Sequence, residues 1–211
     1  IMYTLNLSSD LKDVLERIRG MCFKVESIVS MCMDGFMKHK IQLVDEAKKV
    51  SQAIHEEENE LIGLLSDKAA KSNMDGELIK SMMVVVGHLE MATNALDGIL
   101  QHVKIKVNEG VLFSDKGVSE ISHIFRETLD VVKTAGDAIM TKNEVLKKYV
   151  IDKYASLAQT VDAYSEEHEE RLIKGVCQPK SSSLYLNIVD SLVNVVCHMK
   201  QAVERLFVSR W

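Results

Sequence analysis

Residues 81–92 read SMMVVVGHLEMA and residues 191–202 read SLVNVVCHMKQA, so one pattern occurs twice, 110 positions apart. The shared positions are Ser81, Val85, His88 and Ala92 in the first copy, and Ser191, Val195, His198 and Ala202 in the second. A second set lies upstream of each copy, where Val50, Glu57, Leu61 and Ile62 match Val161, His168, Leu172 and Ile173. Internal self-similarity of this kind predicts a duplicated helical unit.

The composition predicts an all-α chain. The 211 residues contain ten glycines and a single proline, Pro179, whereas a β-protein of this size needs many turns. Aromatic residues make up 5% of the chain and methionine occurs 11 times, so aliphatic side chains and methionine must fill the core. Hydrophobic residues at 46% and charged residues at 27% are typical of a globular domain.

Apolar residues at helical spacing predict six long helices. The first should start at a cap within 8–10 and end near Lys38, and the second should end in the turn-forming stretch 72–76. The other four are expected at about 77–108, 118–142, 144–176 and 184–209, with loops at 110–117 and 177–183. We therefore expect two tandem three-helix repeats, 1–110 and 111–211, forming an elongated antiparallel helical bundle.

Charge and cysteine content exclude several classes of protein. The net charge of −5 and the isoelectric point near 5.8 argue against a nucleic-acid partner. The four cysteines form no CxxC pair, which is typical of reduced core thiols in an intracellular protein. We expect a cytoplasmic location, and because the chain begins at Ile1, an upstream transporter domain that would tie it to a membrane stays open.

Several polar side chains lie within apolar stripes. Glu57 and His168 occupy matching positions in the second helix of each repeat, and His88 and His198 match in the third. Each could be a ligand, but a hydrogen-bonded core or boundary residue is the more common outcome. Acidic runs at 56–60 and 166–170 favour solvated faces that could attract cations or basic loops. No nucleophile–base grouping can be assembled, so we do not expect an enzyme.

The third helices resemble those of the PhoU family, which is built from two three-helix repeats. Its third helices typically read DLERIGD, and the corresponding stretches here are HLEMATN at 88–94 and HMKQAVE at 198–204. The preceding helix also resembles the family's acidic second helix, with Glu57, Glu60 and Leu61 at matching spacing. The resemblance extends from about Ser8 to Phe207.

The resemblance implies carboxylates that bind surface metal clusters, but most of these acids are replaced. In the first copy Glu90 is kept and Asn94 replaces an aspartate, while the second copy has Lys200 and Glu204, a spacing that favours an ion pair. We expect no certain cofactor and little tightly bound metal. One weak divalent-cation site stays open, with candidate ligands Glu90, Asn94 and His88, and their counterparts Glu204 and His198.

The resemblance implies a non-enzymatic regulatory domain of phosphate transport and homeostasis. PhoU relatives dock onto membrane transporters, and one branch forms the cytoplasmic tail of sodium/phosphate cotransporters. The expected partner is therefore a membrane phosphate transporter or a fused transporter domain, and a homodimer also stays open. Two alternatives remain: a metal-binding helical bundle of ferritin type, and a structural dimerisation or signalling bundle.

Overall fold

The computed structural model describes residues 9–71 and 76–208, and it confirms the all-α prediction. Six α-helices follow one another in the chain: α1 (Ser9–Lys38), α2 (Ile41–Lys71), α3 (Gly76–Asn108), α4 (Asp115–Thr141), α5 (Glu144–Ile173) and α6 (Pro179–Val208). The described residues contain no strand. Ser8, Ser209 and most of the predicted turn at 72–76 lie outside the described residues.

Helix ends follow local chemistry. The Ser114 side chain accepts a hydrogen bond from the Gly117 amide and caps α4, and the Asn143 side chain caps α5 in the same way. At its C-terminus α4 ends at Thr141, and the next residue, Lys142, has a left-handed backbone and donates its amide to the carbonyl of Ala138. The repeat linker is therefore short, because α4 begins at Asp115, three residues before the predicted start.

Two ends around the fifth and sixth helices differ from the sequence prediction. The predicted loop at 177–183 is mostly helical, since α6 begins at Pro179. Proline fits the first position of a helix, because an amide there would have no hydrogen-bond acceptor within the helix. Ser181 and Ser182 are buried in that first turn, so they are not loop residues. Conversely, α5 ends at Ile173 and not at 176, because Gly175 adopts a positive φ of 70° that stops the helix.

The six helices pack as a four-helix core with two outer helices. Helices α1, α3, α6 and α4 form a closed ring of neighbours, in which α1 packs on α4 and α3 packs most extensively on α6. Helix α2 covers the groove between α1 and α3, and α5 covers the groove between α4 and α6. The two three-helix repeats therefore share one continuous hydrophobic core.

The repeated sequence positions lie at the centre of this core. Val85 and Val195 are fully buried, and so are Ala92 and Ala202, on the facing helices α3 and α6. The second set corresponds less well: Leu61 is buried whereas its match Leu172 is only partly buried, and Ile62 is partly buried whereas its match Ile173 is exposed at the end of α5. Within residues 9–71 and 76–208, no helix is both long and apolar enough to cross a membrane.

Candidate functional site

The two repeated histidines meet where α3 packs on α6. Their rings stack with centroids 5.7 Å apart and planes 29° from parallel. The Nδ1 atom of each ring is buried and has no hydrogen-bond partner among the described residues. Burial lowers the pKa of both His88 and His198, and their mutual repulsion lowers that of His88 further. At neutral pH this pair is therefore an uncharged contact between the two repeats.

Glu90 lies on the opposite side of α3, where it binds His55 of α2. The Nδ1 atom of His55 is 2.7 Å and 2.8 Å from the two Glu90 carboxylate oxygens, and its Nε2 atom is 3.1 Å from Oδ2 of Asp97. Because a carboxylate only accepts, both ring nitrogens must donate, which requires the imidazolium form. Partial burial opposes protonation of His55, but the bonds to Asp97 and Glu90 outweigh it and raise the pKa.

Two further side chains complete what we call the α2–α3 charge cluster, which comprises Lys48, Ser51, His55, Glu90 and Asp97. The Ser51 hydroxyl donates to Asp97 over 2.6 Å, and the Lys48 ammonium lies 2.7 Å from the other oxygen of that carboxylate. Two cations thus balance two carboxylates, and together they hold α2 to α3. This arrangement uses the Glu90 carboxylate in an internal ion pair.

Between α5 and α6, the described residues form no such cluster. Lys200 donates to Glu204 over 2.9 Å, which is the i,i+4 pair that the sequence predicts, and its ammonium lies over the ring of Tyr154. Glu204 is therefore engaged with its own helix. Asn94, the remaining candidate ligand, is exposed and makes a long contact of 3.4 Å to Glu90.

The candidate metal ligands do not meet in one site, because His88 contacts His198 whereas Glu90 contacts Asn94. His88 and Glu90 are two positions apart, so on a helix they project to different neighbours, α6 and α2 respectively. Within the described parts of the chain, no group of three or more His, Cys, Asp or Glu side chains could hold a metal ion. The weak divalent-cation site stays a prediction.

The matched residues Glu57 and His168 have internal partners. Glu57 accepts from Arg17 over 2.5 Å and lies 3.7 Å from the Lys24 ammonium. His168 is buried, stacks on the Tyr185 ring with centroids 4.0 Å apart, and accepts at Nδ1 from Arg171. Burial, reinforced by the Arg171 charge, lowers the pKa of His168.

One buried charge network was not predicted from the sequence. The carboxylate of Glu120 is 2% exposed and accepts two bonds from the Arg171 guanidinium, at 2.6 Å and 3.2 Å. The Tyr185 hydroxyl donates to the same carboxylate over 2.7 Å. The network ties α4, α5 and α6 together at one end of the second repeat. The signal in the sequence was Glu120 itself, a charged side chain within the apolar stripe of α4.

His55, the partner of Glu90, and Asp97, the second carboxylate that His55 binds, were also not predicted. The available signal was a pair of polar rows, Ser51 and His55 four apart on α2, and Glu90, Asn94 and Asp97 at helical spacing on α3. Neither row shows by itself that the two helices pack in the register that joins them.

Known proteins resemble this chain in structure but not in sequence. No family model and no curated protein sequence matches it. The crystal structure of PhoU from Pseudomonas aeruginosa superposes with a TM-score of 0.88 and 18% identity, covering 94% of this chain and 95% of that one. The phosphate transport system regulatory protein PhoU from Streptococcus pneumoniae superposes with a TM-score of 0.82 and 16% identity, covering 93% of each chain. The chain therefore has the PhoU fold over nearly its whole length.

Proposed function

We propose that this protein is a non-enzymatic regulator of phosphate transport that acts by docking onto a membrane transporter. The observation that carries the proposal is the fold, which matches two PhoU proteins over more than nine-tenths of their length. One of them is named as a regulatory protein of a phosphate transport system. Fold alone does not fix function, so the side chains have to support the same conclusion.

The charged side chains support a role in contact and not in chemistry. The acids closest to the helix interfaces are engaged with internal cations: Glu90 and Asp97 with His55, and Glu120 with Arg171. Each of these groups joins two helices. A catalytic acid or base needs access to a substrate proton, whereas these groups are committed to holding the bundle together.

Each outer helix carries exposed acids that are suited to docking. Glu56 on α2, and Glu166 and Glu169 on α5, are exposed and form no ion pair within the described residues. Basic loops on the cytoplasmic side of a transporter would complement this charge. The proposal therefore places the protein at the cytoplasmic face of the membrane, either as a separate chain or fused to its transporter, and a homodimer is compatible with it.

Deletion of the coding region tests the proposed function. Uptake of radiolabelled phosphate should be measured in the native host at high and low external phosphate, before and after deletion, with the wild-type gene restored as control. We expect deletion to change uptake or its repression by phosphate, and restoration to reverse the change. Unchanged uptake and unchanged repression would overturn the transport-control proposal.

A charge-reversal variant tests these exposed acids separately. Replacing Glu56, Glu166 and Glu169 with lysine should reproduce part of the deletion effect without unfolding the protein. Glu57 and Glu167 should be left intact, because both form ion pairs. Glu57 pairs with Arg17, and Glu167 pairs with Lys116 and Arg171. The matched control reverses three other exposed acids on the same two helices, namely Glu46, Asp67 and Asp152. Equal effects of both variants would show that net charge matters and not these positions.

A further inference from the structure

An open groove lies between the middle of α1 and the C-terminal half of α4. Its volume is about 820 Å³, within the range of ligand-binding clefts. We call it the α1–α4 groove, and its main apolar lining consists of Cys22, Phe23, Met31, Leu129, Gly136 and Met140. The two backbones approach closely at its floor, where a Cβ atom on Gly136 would lie 3.3 Å from the Cβ of Cys22.

The groove results from small side chains along part of this helix pair. Ser27, Ser30, Cys22 and Gly136 line it and leave the space between the helices unfilled. Elsewhere, the ring of Phe36 packs against Phe125 at 6.3 Å, so aromatic side chains fill the same interface. Phe23 does not close the groove, since it is 55% exposed at the rim. The amino-acid sequence therefore keeps this surface both apolar and open.

The fold itself shows what kind of object fits such a groove. Helix α2 lies across α1 and α3, and α5 lies across α4 and α6, so each repeat covers its own groove with a helix. Within the described residues no helix covers the pair α1 and α4. The lining residues of α1 extend from Glu16 to Met31, which is about 22 Å at 1.5 Å per residue. A partner helix of about four turns matches that length.

The rim of the groove has more negative than positive charge. Glu26 and Asp137 form no ion pair within the described residues, whereas Glu16 is 3.3 Å from Arg19. The Arg19 guanidinium also lies over the exposed Phe23 ring, so one of the two rim cations is already engaged, and Lys133 is the other. Lysine or arginine on an incoming helix would neutralise the unpaired carboxylates.

We propose that the α1–α4 groove binds one amphipathic helix of a partner protein, with apolar residues at i, i+3 or i+4, and i+7, and with lysine or arginine along the flanks. This is the helix-in-groove mode of recognition. The identification of the partner as a phosphate transporter rests on the proposed function, but the groove and its preference for a basic helix do not.

Binding of synthetic peptides tests the groove directly. The probe is a fluorescent 15-residue peptide of leucine and lysine at helical spacing, and the control peptide has glutamate in place of lysine. Fluorescence anisotropy at physiological salt should show that the basic peptide binds the full chain at least tenfold more tightly than the acidic one. Replacing Ser27 and Ser30 with phenylalanine should weaken the basic peptide at least tenfold, because the new rings fill the groove.

Two variants with identical net charge separate groove binding from general attraction to an acidic protein. Reversing Glu26 and Asp137 to lysine should weaken the basic peptide at least fivefold, whereas reversing Glu46 and Asp67 on α2 should change it less than twofold. Circular dichroism and thermal unfolding check that each variant folds. Equal binding to the wild type and the groove-filled variant, or equal effects of the two charge variants, would overturn the proposal.

Self-association is a separate outcome of the same experiment. If size-exclusion chromatography with light scattering shows a wild-type dimer that the Ser27 and Ser30 replacements dissociate, the groove binds a second copy and the proposal is wrong. Failure of the basic peptide leaves the phosphate-transport proposal standing, since that rests on uptake in cells. Unchanged uptake after deletion would remove the transporter as partner and leave the groove proposal standing.

Discussion

Replacing Arg171 with leucine should destabilise the protein severely, because Glu120 would lose its main partner. The Glu120 side chain is 2% exposed, and the substitution removes both guanidinium bonds to its carboxylate. The Tyr185 hydroxyl at 2.7 Å and the partly exposed Lys116 ammonium at 3.4 Å remain. Breaking a buried ion pair on one side costs roughly 3 to 5 kcal/mol, and these remaining partners favour the lower end, about 3 kcal/mol.

The assay is urea and thermal unfolding followed by circular dichroism. For a chain of this size, about 3 kcal/mol corresponds to a decrease in Tm of roughly 6 to 12 °C. The matched control is Lys174→Leu, which removes the same charge one turn later in the chain, from an exposed pair with Glu170, and should cost less than about 1 kcal/mol.

A double variant shows whether the cost comes from the isolated charge. Combining Arg171→Leu with Glu120→Gln should recover most of the lost stability, because no buried charge is then left without a partner. If Arg171→Leu costs no more than Lys174→Leu, the Glu120 carboxylate reaches water in solution. The reasoning that the Glu120–Arg171 network stabilises the second repeat would then be refuted.

The remaining predictions concern how the stability of the protein depends on pH. Burial lowers the pKa of Lys106 from 10.5 to about 8. The free energy of unfolding should therefore rise between pH 8 and 10.5, by at most about 3 kcal/mol. This rise should be absent in the Lys106→Met variant. The lowered pKa values of His88 and His198 predict a contribution to stability that is present above pH 6.5 and lost as the pH falls. A variant with glutamine at both positions should therefore lose less stability than the wild type between pH 7 and 5. His55 has a raised pKa and the opposite sign, so His55→Ala should cost more at pH 6 than at pH 9; an equal cost at both would show that the imidazolium pair with Glu90 does not form.

The repeated sequence positions predicted the core of the fold because burial constrains them directly. Val85 and Val195 recur in sequence and are both fully buried, and the all-α bundle follows from such positions. Helix ends were less predictable, since a proline followed by serines favours a loop by composition but can also begin a helix, as Pro179 does. Local sequence alone does not show whether such a segment forms a loop or begins a helix, because that depends on whether its side chains are buried.

Contacts between helices were the part that the sequence did not reveal. The resemblance made Glu90 a candidate ligand of a weak metal site, and its position opposite His55 depends on how α2 packs on α3. The α1–α4 groove likewise depends on Gly136 facing Cys22 across two helices that are more than 100 residues apart in the chain. Such pairings are set by three-dimensional register, which a single sequence does not specify.

Photo-crosslinking in the native host tests the central claim most directly, namely that this fold docks onto the phosphate transport machinery. A photoreactive amino acid at Ser27 probes the α1–α4 groove, and the same amino acid at Glu46 on α2 is the control. After irradiation, mass spectrometry identifies the crosslinked peptide. The account predicts a crosslink from position 27, and not from position 46, to a basic amphipathic helix of a phosphate transport protein. Crosslinks only to proteins unrelated to phosphate transport, or the same pattern from both positions, would contradict it.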